Sequence, residues 1–260
     1  MNTTPDASSE GELPLIAHLL ELRTRLVRIL IGIAIVFAPM AYFGKEIYAF
    51  VAQPLLALLP AGATMIATEV ASPFFAPLKL AGILAAAVSM PWTLYQVWAF
   101  VAPGLYKNEQ RFVVPLLVSS TGLFYAGIAF AYFLVLPTVF HFMVGIAPTG
   151  VAVMTDINKY LDFVLAIFLA FGVTFETPVA IVLLVRTGFV NVAQLRQNRQ
   201  YVLVGCFVVA AVLTPPDVLS QLLLAIPSYL LYEVGIIAAA WAAPKPAPED
   251  GEASVPAEKS

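Results

Sequence analysis

The sequence predicts an all-α polytopic membrane protein: six transmembrane helices in a concave, non-repeated bundle, with the N and C termini cytoplasmic. Three observations predict it. Of 260 residues, 61% are hydrophobic and 11% are charged, against about 25% charged in a soluble domain. A soluble globule of this composition would lack the polar surface to cover itself. The apolar residues fall in runs separated by short polar links, as membrane spans do. The Lys and Arg residues fall unequally on the two sides that those runs define.

In chain order, residues 1–13 carry Asp6, Glu10 and Glu12 without Lys or Arg. They read as a disordered lead-in, because a cleaved signal needs a basic start followed by an apolar core. Between Pro14 and Arg28, Leu15, Leu19, Leu22 and Leu26 recur at helical spacing. This predicts an amphipathic helix at the membrane surface that runs into a first span at 27–43. Residues 44–78 are interrupted by Pro54, Pro60, Pro73 and Pro77 and predict short interfacial helices rather than a span. The second span is expected at 78–100, with Pro91 inside it. The third is expected at 112–142, with Pro115 and Pro137 near its ends, and the fourth at 161–185. A basic link follows.

The fifth span, 201–213, is short: at 1.5 Å per residue it covers roughly 20 Å of a core of about 30 Å. Such a hairpin should thin the bilayer around it. The sixth span is expected at 218–241. The membrane domain is thus 14–243, and the tail 244–260 is Pro, Ala, Glu and Lys rich, hence disordered by composition.

An even number of spans puts both ends on one side. Arg23, Arg25, Arg28, Lys107, Arg111, Arg186, Arg196, Arg199, Lys245 and Lys259 share that side, and only Lys45, Lys79 and Lys159 take the other. The positive-inside rule makes the richer side cytoplasmic.

Several classes are disfavoured. Cys206 is the single cysteine, so no disulfide framework exists. His18 and His141 are far apart in topology, which gives no metal site and no expected cofactor. No phosphate-binding GxxxxGK[ST] loop occurs, no catalytic triad assembles on one side, and no enzyme or nucleic-acid role is expected. No internal repeat is visible, which argues against an inverted-repeat transporter.

Four stretches carry unusual polar chemistry. His18-Leu19-Leu20-Glu21-Leu22-Arg23 opens the membrane domain. The loop from Phe100 to Arg111 holds Glu109 between two spans. Phe175-Glu176-Thr177-Pro178-Val179-Ala180 puts an acid and a proline inside the fourth span. Leu213-Thr214-Pro215-Pro216-Asp217 links the last two. Glu176 is the most informative: a charge near mid-bilayer costs on the order of 2.5–3.5 kcal/mol on insertion scales. Pro178 cannot donate to Thr174, so a kink is expected there. The bland readings are an i,i+4 pair of Glu21 with Arg25, a solvated loop acid at Glu109, and a Glu176 bonded to a neighbouring helix.

Together, in this order and spacing, the four stretches resemble TatC, the signal-peptide receptor subunit family of the twin-arginine protein translocase. The resemblance spans about residues 15–235. Asn108 and Gln110 depart from the His and Arg that often flank the loop acid in that family. The resemblance implies that Arg-Arg signal peptides of folded precursors are bound at Glu21, Arg23 and Glu109, with Phe100, Leu105 and Tyr106 forming an apolar side to the groove. Carboxylates suit this task, since a guanidinium makes bidentate, charge-assisted bonds to them. The resemblance further implies an intramembrane role for Glu176. It implies contacts of Thr214 and Gln221 with the helices of TatA and TatB type single-span partners, self-association within the complex, and export across the inner membrane driven by the proton-motive force. A second reading, of a different class, is a proton-coupled small-solute permease using Glu176.

Overall fold

The computed structural model describes residues 9–57, 64–101, 113–146, 154–213 and 218–242. The first helix, α1 (Ser9–Tyr42), is uninterrupted over 34 residues. The surface helix and the first span, expected as two parts, are therefore one rod. Residues 9–13, expected in a disordered lead-in, are its first residues. The reason lies in 15–31, which holds neither glycine nor proline and is rich in Leu, Ile and Arg, all good helix formers. The rod ends where Gly44 starts α2 (Gly44–Leu56), the short helix expected before the second span. A Cβ at Gly44 would lie 3.3 Å from the Pro77 carbonyl oxygen, so this corner needs glycine.

The second span begins earlier than expected. It is a broken pair, α3 (Ser72–Val88) and α4 (Met90–Val101), bent by 50°. Pro91 has no N–H for the Ala87 carbonyl, and the Ser89 hydroxyl donates to Ala86 O at 3.0 Å beside the break. The third span is α5 (Val113–Phe130), a π-helical segment (Ala131–Val135) and α6 (Leu136–Gly145). In the π segment the Leu136 N–H reaches back five residues to Ala131 O.

The fourth span is α7 (Ile157–Phe175) and α8 (Thr177–Arg186), broken at Glu176. Near Pro178, where a kink is expected, the helix is interrupted at Glu176, and Pro178 occupies the first turn of α8. Gly188, at φ 75, closes α8. The basic link holds α9 (Val192–Gln197), started by a capping box between Asn191 and Gln194. A hairpin of α10 (Arg199–Leu213) and α11 (Val218–Ala242) completes the bundle.

Among the described residues, four helices are long and apolar enough to cross a membrane, and the bent pair makes a fifth when it is counted as one span. The 15 residues of α10 give roughly 22 Å of helix, as short as expected.

The main core lies where α2, α3, α6 and the first part of α7 meet. Leu80, Leu136, Leu161, Ile167 and Phe171 are fully buried there. Close approach needs small residues, because lipid supplies no hydrophobic drive between spans. A Cβ at Gly127 of α5 would sit 2.6 Å from the Phe171 carbonyl oxygen, and one at Gly172 of α7 would sit 2.7 Å from the Phe124 ring. Gly235 of α11 similarly admits Ile181 and Pro178 of α8. By contrast, no residue of α1 from 18 to 42 is buried.

Candidate functional site

Two acidic positions organise the candidate site, and the fold treats them differently. Glu176 occupies the break of the fourth span. Its N–H bonds to Val173 O at 3.1 Å, and its carbonyl accepts from Ala180 at 2.9 Å, so the backbone turns without losing its ladder. Its side chain points across to α5, where the Ser120 hydroxyl donates to Oε2. Ser120 is 1% exposed. Oε1 is buried and has no partner among the described residues. The glycine contacts at Gly127 and Gly172 pack the same pair of helices just beyond. Glu176 is thus held inside a helix–helix interface by one neutral donor, with no cation beside it among the described residues. Spacing along the chain did not reveal Ser120, which lies 56 residues away.

Glu21 lies on the exposed part of α1 and pairs with Arg25: Nη2 to Oε1 is 2.6 Å and Nε to Oε1 is 2.9 Å. Arg25 then reaches Gln96 of α4, whose Oε1 accepts from Nη1 at 3.4 Å. Gln96 is 2% exposed. The local pair weighed from spacing therefore forms, and it also ties α1 to α4. One turn earlier, His18 stacks on Phe100 with ring centroids 4.3 Å apart. The packing of α1 on α4 thus gathers Glu21, Arg25, His18 and Phe100 at one end of the bundle. Arg23 does not join them: it lines a hollow with Leu20, Thr24, Val27 and Arg28 on another face of α1. Leu105, Tyr106 and Glu109 lie outside the described residues.

The proposed partner-helix positions are Thr214, which lies outside the described residues, and Gln221. The Gln221 side-chain N–H donates to Phe207 O at 3.2 Å, an internal bond between α11 and α10. A polar group that sequence reasoning missed stands at the other end of this hairpin. Glu233 accepts from Arg199 at 2.7 Å and from the Tyr229 hydroxyl at 2.9 Å. The available signal was a carboxylate inside the last apolar run with a basic residue at the start of the run before it.

The opposite end of the bundle is tied by directional bonds. Asp156 caps α7, accepting from the Asn158 and Lys159 N–H groups. It also accepts from the Thr68 hydroxyl at 2.7 Å and the Thr68 N–H at 2.9 Å. These donors, the Thr68 hydroxyl first, hold the Asp156 carboxyl down at about 2. Ile66 forms a parallel bridge to the same residue. Asn158 donates to Ser72 at 2.6 Å, and Lys79 pairs with Asp162. Among the described residues, no group of three or more His, Cys, Asp or Glu is placed to hold a metal ion.

Comparison with known proteins agrees with this arrangement. The family described as "Sec-independent protein translocase protein (TatC)" matches residues 17–227. The chain is 57% identical over 236 residues to the Sec-independent protein translocase protein TatC of Azotobacter chroococcum mcd 1, spanning 91% of this chain and 92% of the relative. It is also 57% identical over 229 residues to that of Escherichia coli (strain K12), spanning 88% and 89% respectively. A crystal structure described as twin arginine translocase receptor TatC superposes with a TM-score of 0.77 at 36% identity, over 86% of this chain and 99% of that one. The chain therefore belongs to the TatC family of Sec-independent protein translocase proteins, whose work is protein transport.

Proposed function

We propose that this chain is the signal-receiving core of a twin-arginine translocase. It binds the Arg-Arg signal peptides of folded precursors on its cytoplasmic face and, with TatA and TatB type partners and further copies of itself, supports export driven by the proton-motive force. The observation that carries this reading is the packing of α1 on α4. It sets Glu21 and Phe100 at the same end of the bundle. That end is also where Lys and Arg concentrate, which supports six spans with both termini in the cytoplasm of an inner membrane. The related crystal structure is itself described as a receptor.

In this reading Glu109 and Glu21 take the two guanidinium groups, and Phe100, Leu105 and Tyr106 take the apolar residues that follow. Arg23 lines a hollow on another face of α1 and stands outside this groove. Signal binding then competes with Arg25 for Glu21, a surface pair of modest strength. Glu176 with Ser120 offers a polar point inside the bundle, and Thr214 with Gln221 offers one on the hairpin for a partner helix. The permease alternative finds no support in the family assignment, and no geometric feature favours it.

Site-specific photocrosslinking from position 109 to a precursor bearing an Arg-Arg or a Lys-Lys signal tests the proposal. The same probe at 108 in Glu109→Gln and Glu21→Gln variants runs beside it. A crosslink that requires both the Arg pair and the acids supports the reading. A crosslink indifferent to either one overturns it.

A further inference from the structure

We infer that the exposed face of α1 around Arg23 and Arg28, together with the slot that α1 forms beside it with Trp92, is a binding site for an anionic phospholipid, its phosphate held by Arg28 and Arg23 and its acyl chain laid against Trp92. This goes beyond signal reception and stands without it. Two adjoining hollows share Arg28. One, of about 410 Å3, is walled by Leu20, Arg23, Thr24 and Val27. The other, of about 450 Å3, is walled by apolar residues including Ile31, Ile35, Val88 and Trp92. The first is a cationic mouth formed by α1 alone, and the second, adjoining it at Arg28, is an apolar slot between α1 and the α3–α4 break.

The slot is built into the fold rather than left over from loose packing. The Trp92 indole donates to the Arg28 carbonyl at 3.0 Å, which fixes the ring to α1. A Cβ at Gly32 would lie 2.6 Å from Trp92 Cδ1, so the ring can lie this close only because position 32 is glycine. From Arg28 to Ile35 the helix rises roughly 10 Å, about a third of the hydrocarbon thickness. That depth suits the upper part of an acyl chain.

Charge identifies the occupant. Three arginines stand within two turns of α1, but they are not equivalent. Arg25 is paired with Glu21 and turned toward Gln96. Arg23 and Arg28 are exposed and form no ion pair among the described residues. The mouth has no acidic side chain in its lining, and the Thr24 hydroxyl in it donates to Leu20 O. Two uncompensated guanidinium groups above an apolar slot, on a helix with no buried residue from 18 to 42, complement a lipid phosphate. Guanidinium binds phosphate bidentately, and basic pockets at the membrane boundary select anionic headgroups. A partner helix would leave both charges unneutralised unless it carried acids at matching depth.

The test uses the full chain purified in mild detergent. Phosphatidylglycerol and phosphatidylcholine with identical acyl chains are titrated in, and retained lipid is read by native mass spectrometry. Phosphatidylglycerol is expected to be retained at least about fivefold better. Combining Arg23→Gln with Arg28→Gln should abolish the difference, while Lys45→Gln, just beyond the other end of α1, should preserve it. Ile35→Trp should fill the slot and weaken retention of both lipids. Circular dichroism reports whether each variant is folded, and the lipid competition on the unaltered chain needs no variant at all. Equal retention of the two lipids overturns the inference, as does a preference that survives the double arginine change. Full competition by glycerol phosphate would reduce the site to a free-anion site. Crosslinking from position 35 to a second copy at the expense of lipid would make the cleft an interface between copies. Either of those results also overturns it.

Discussion

In the half of the bundle where α7 begins, buried residues of α2, α3, α6 and α7 form one continuous core, and Asp156, Asn158 and Lys79 tie loops and helices across it. In the half where α1 begins, the buried residues form two separate small clusters. One contains Ile181, Tyr232, Ile236 and Ala239, and the other Leu94, Trp98 and Val179. The two breaks, at Ser89 and at Glu176, fall between these halves. The contrast teaches where shape is fixed and where it is adjustable. Local stability follows contiguous buried contacts, so the half that carries Glu21 and Phe100 should open more readily than the other.

Four changes test this contrast, from the largest expected effect to the smallest. Gly127→Leu should be the most damaging, because its side chain meets the Phe171 carbonyl oxygen, where even a Cβ would lie 2.6 Å away. Overpacking of this kind costs about 1–3 kcal/mol, read as a fall in the midpoint of unfolding in detergent. If Gly127→Leu leaves the midpoint unchanged, the close α5–α7 contact is not what holds the core.

Acid should act next, and at Thr68 its effect reports on the tied half. The Asp156 carboxyl sits at about 2 against an ordinary 3.8, so the charged form is favoured by folding. Its contribution is complete above pH 3.8 and is lost as pH falls toward 2. Amide exchange at Thr68 should rise through that window. Asp156→Asn should raise exchange at all pH values and remove the dependence. A flat exchange profile in the unaltered chain would break the assignment.

Arg199→Gln should act on the loose half. Its partner Glu233 is one-quarter exposed and Arg199 is nearly half exposed, so the loss of stability is about 0–1 kcal/mol. Faster exchange at the start of α10 is the sensitive readout. Glu21→Gln should have the smallest effect on stability, about 0.2–0.5 kcal/mol for an i,i+4 pair. It should nonetheless reduce Arg-pair-dependent crosslinking from position 108 roughly tenfold, the loss of one charge-assisted contact. Equal effects on stability and crosslinking would mean that Glu21 serves only to hold Arg25.

What could be read from the chain was the information that travels locally. Pro178 announced the break at Glu176, and the short run before Thr214 announced the short α10. Pro91 marked the second span, but the bend at Ser89 and the start at Ser72 came from packing rather than pattern. The long α1 was divided too early because its polar face, His18, Glu21 and Arg25, resembled a surface helix. In the fold that face is the one turned to α4. Partners distant in sequence stayed hidden for a simple reason: Ser120 for Glu176, Gln96 for Arg25 and Glu233 for Arg199 depend on which helices become neighbours. Periodicity along one helix says nothing of that.

The π segment at Ala131–Val135 has a consequence for how this chain tolerates change in length. Before it, α5 turns Phe124 and Gly127 toward α7; after it, α6 turns Val139 and Phe140 toward the core shared with α2. A regular helix advances 100° per residue, so these two faces stay in phase only with the extra residue in place. Deleting any one of the five residues would leave a perfectly good helix whose far half faces the wrong neighbours. The third span is therefore a counted sequence: its composition can drift among apolar residues, while its residue number cannot.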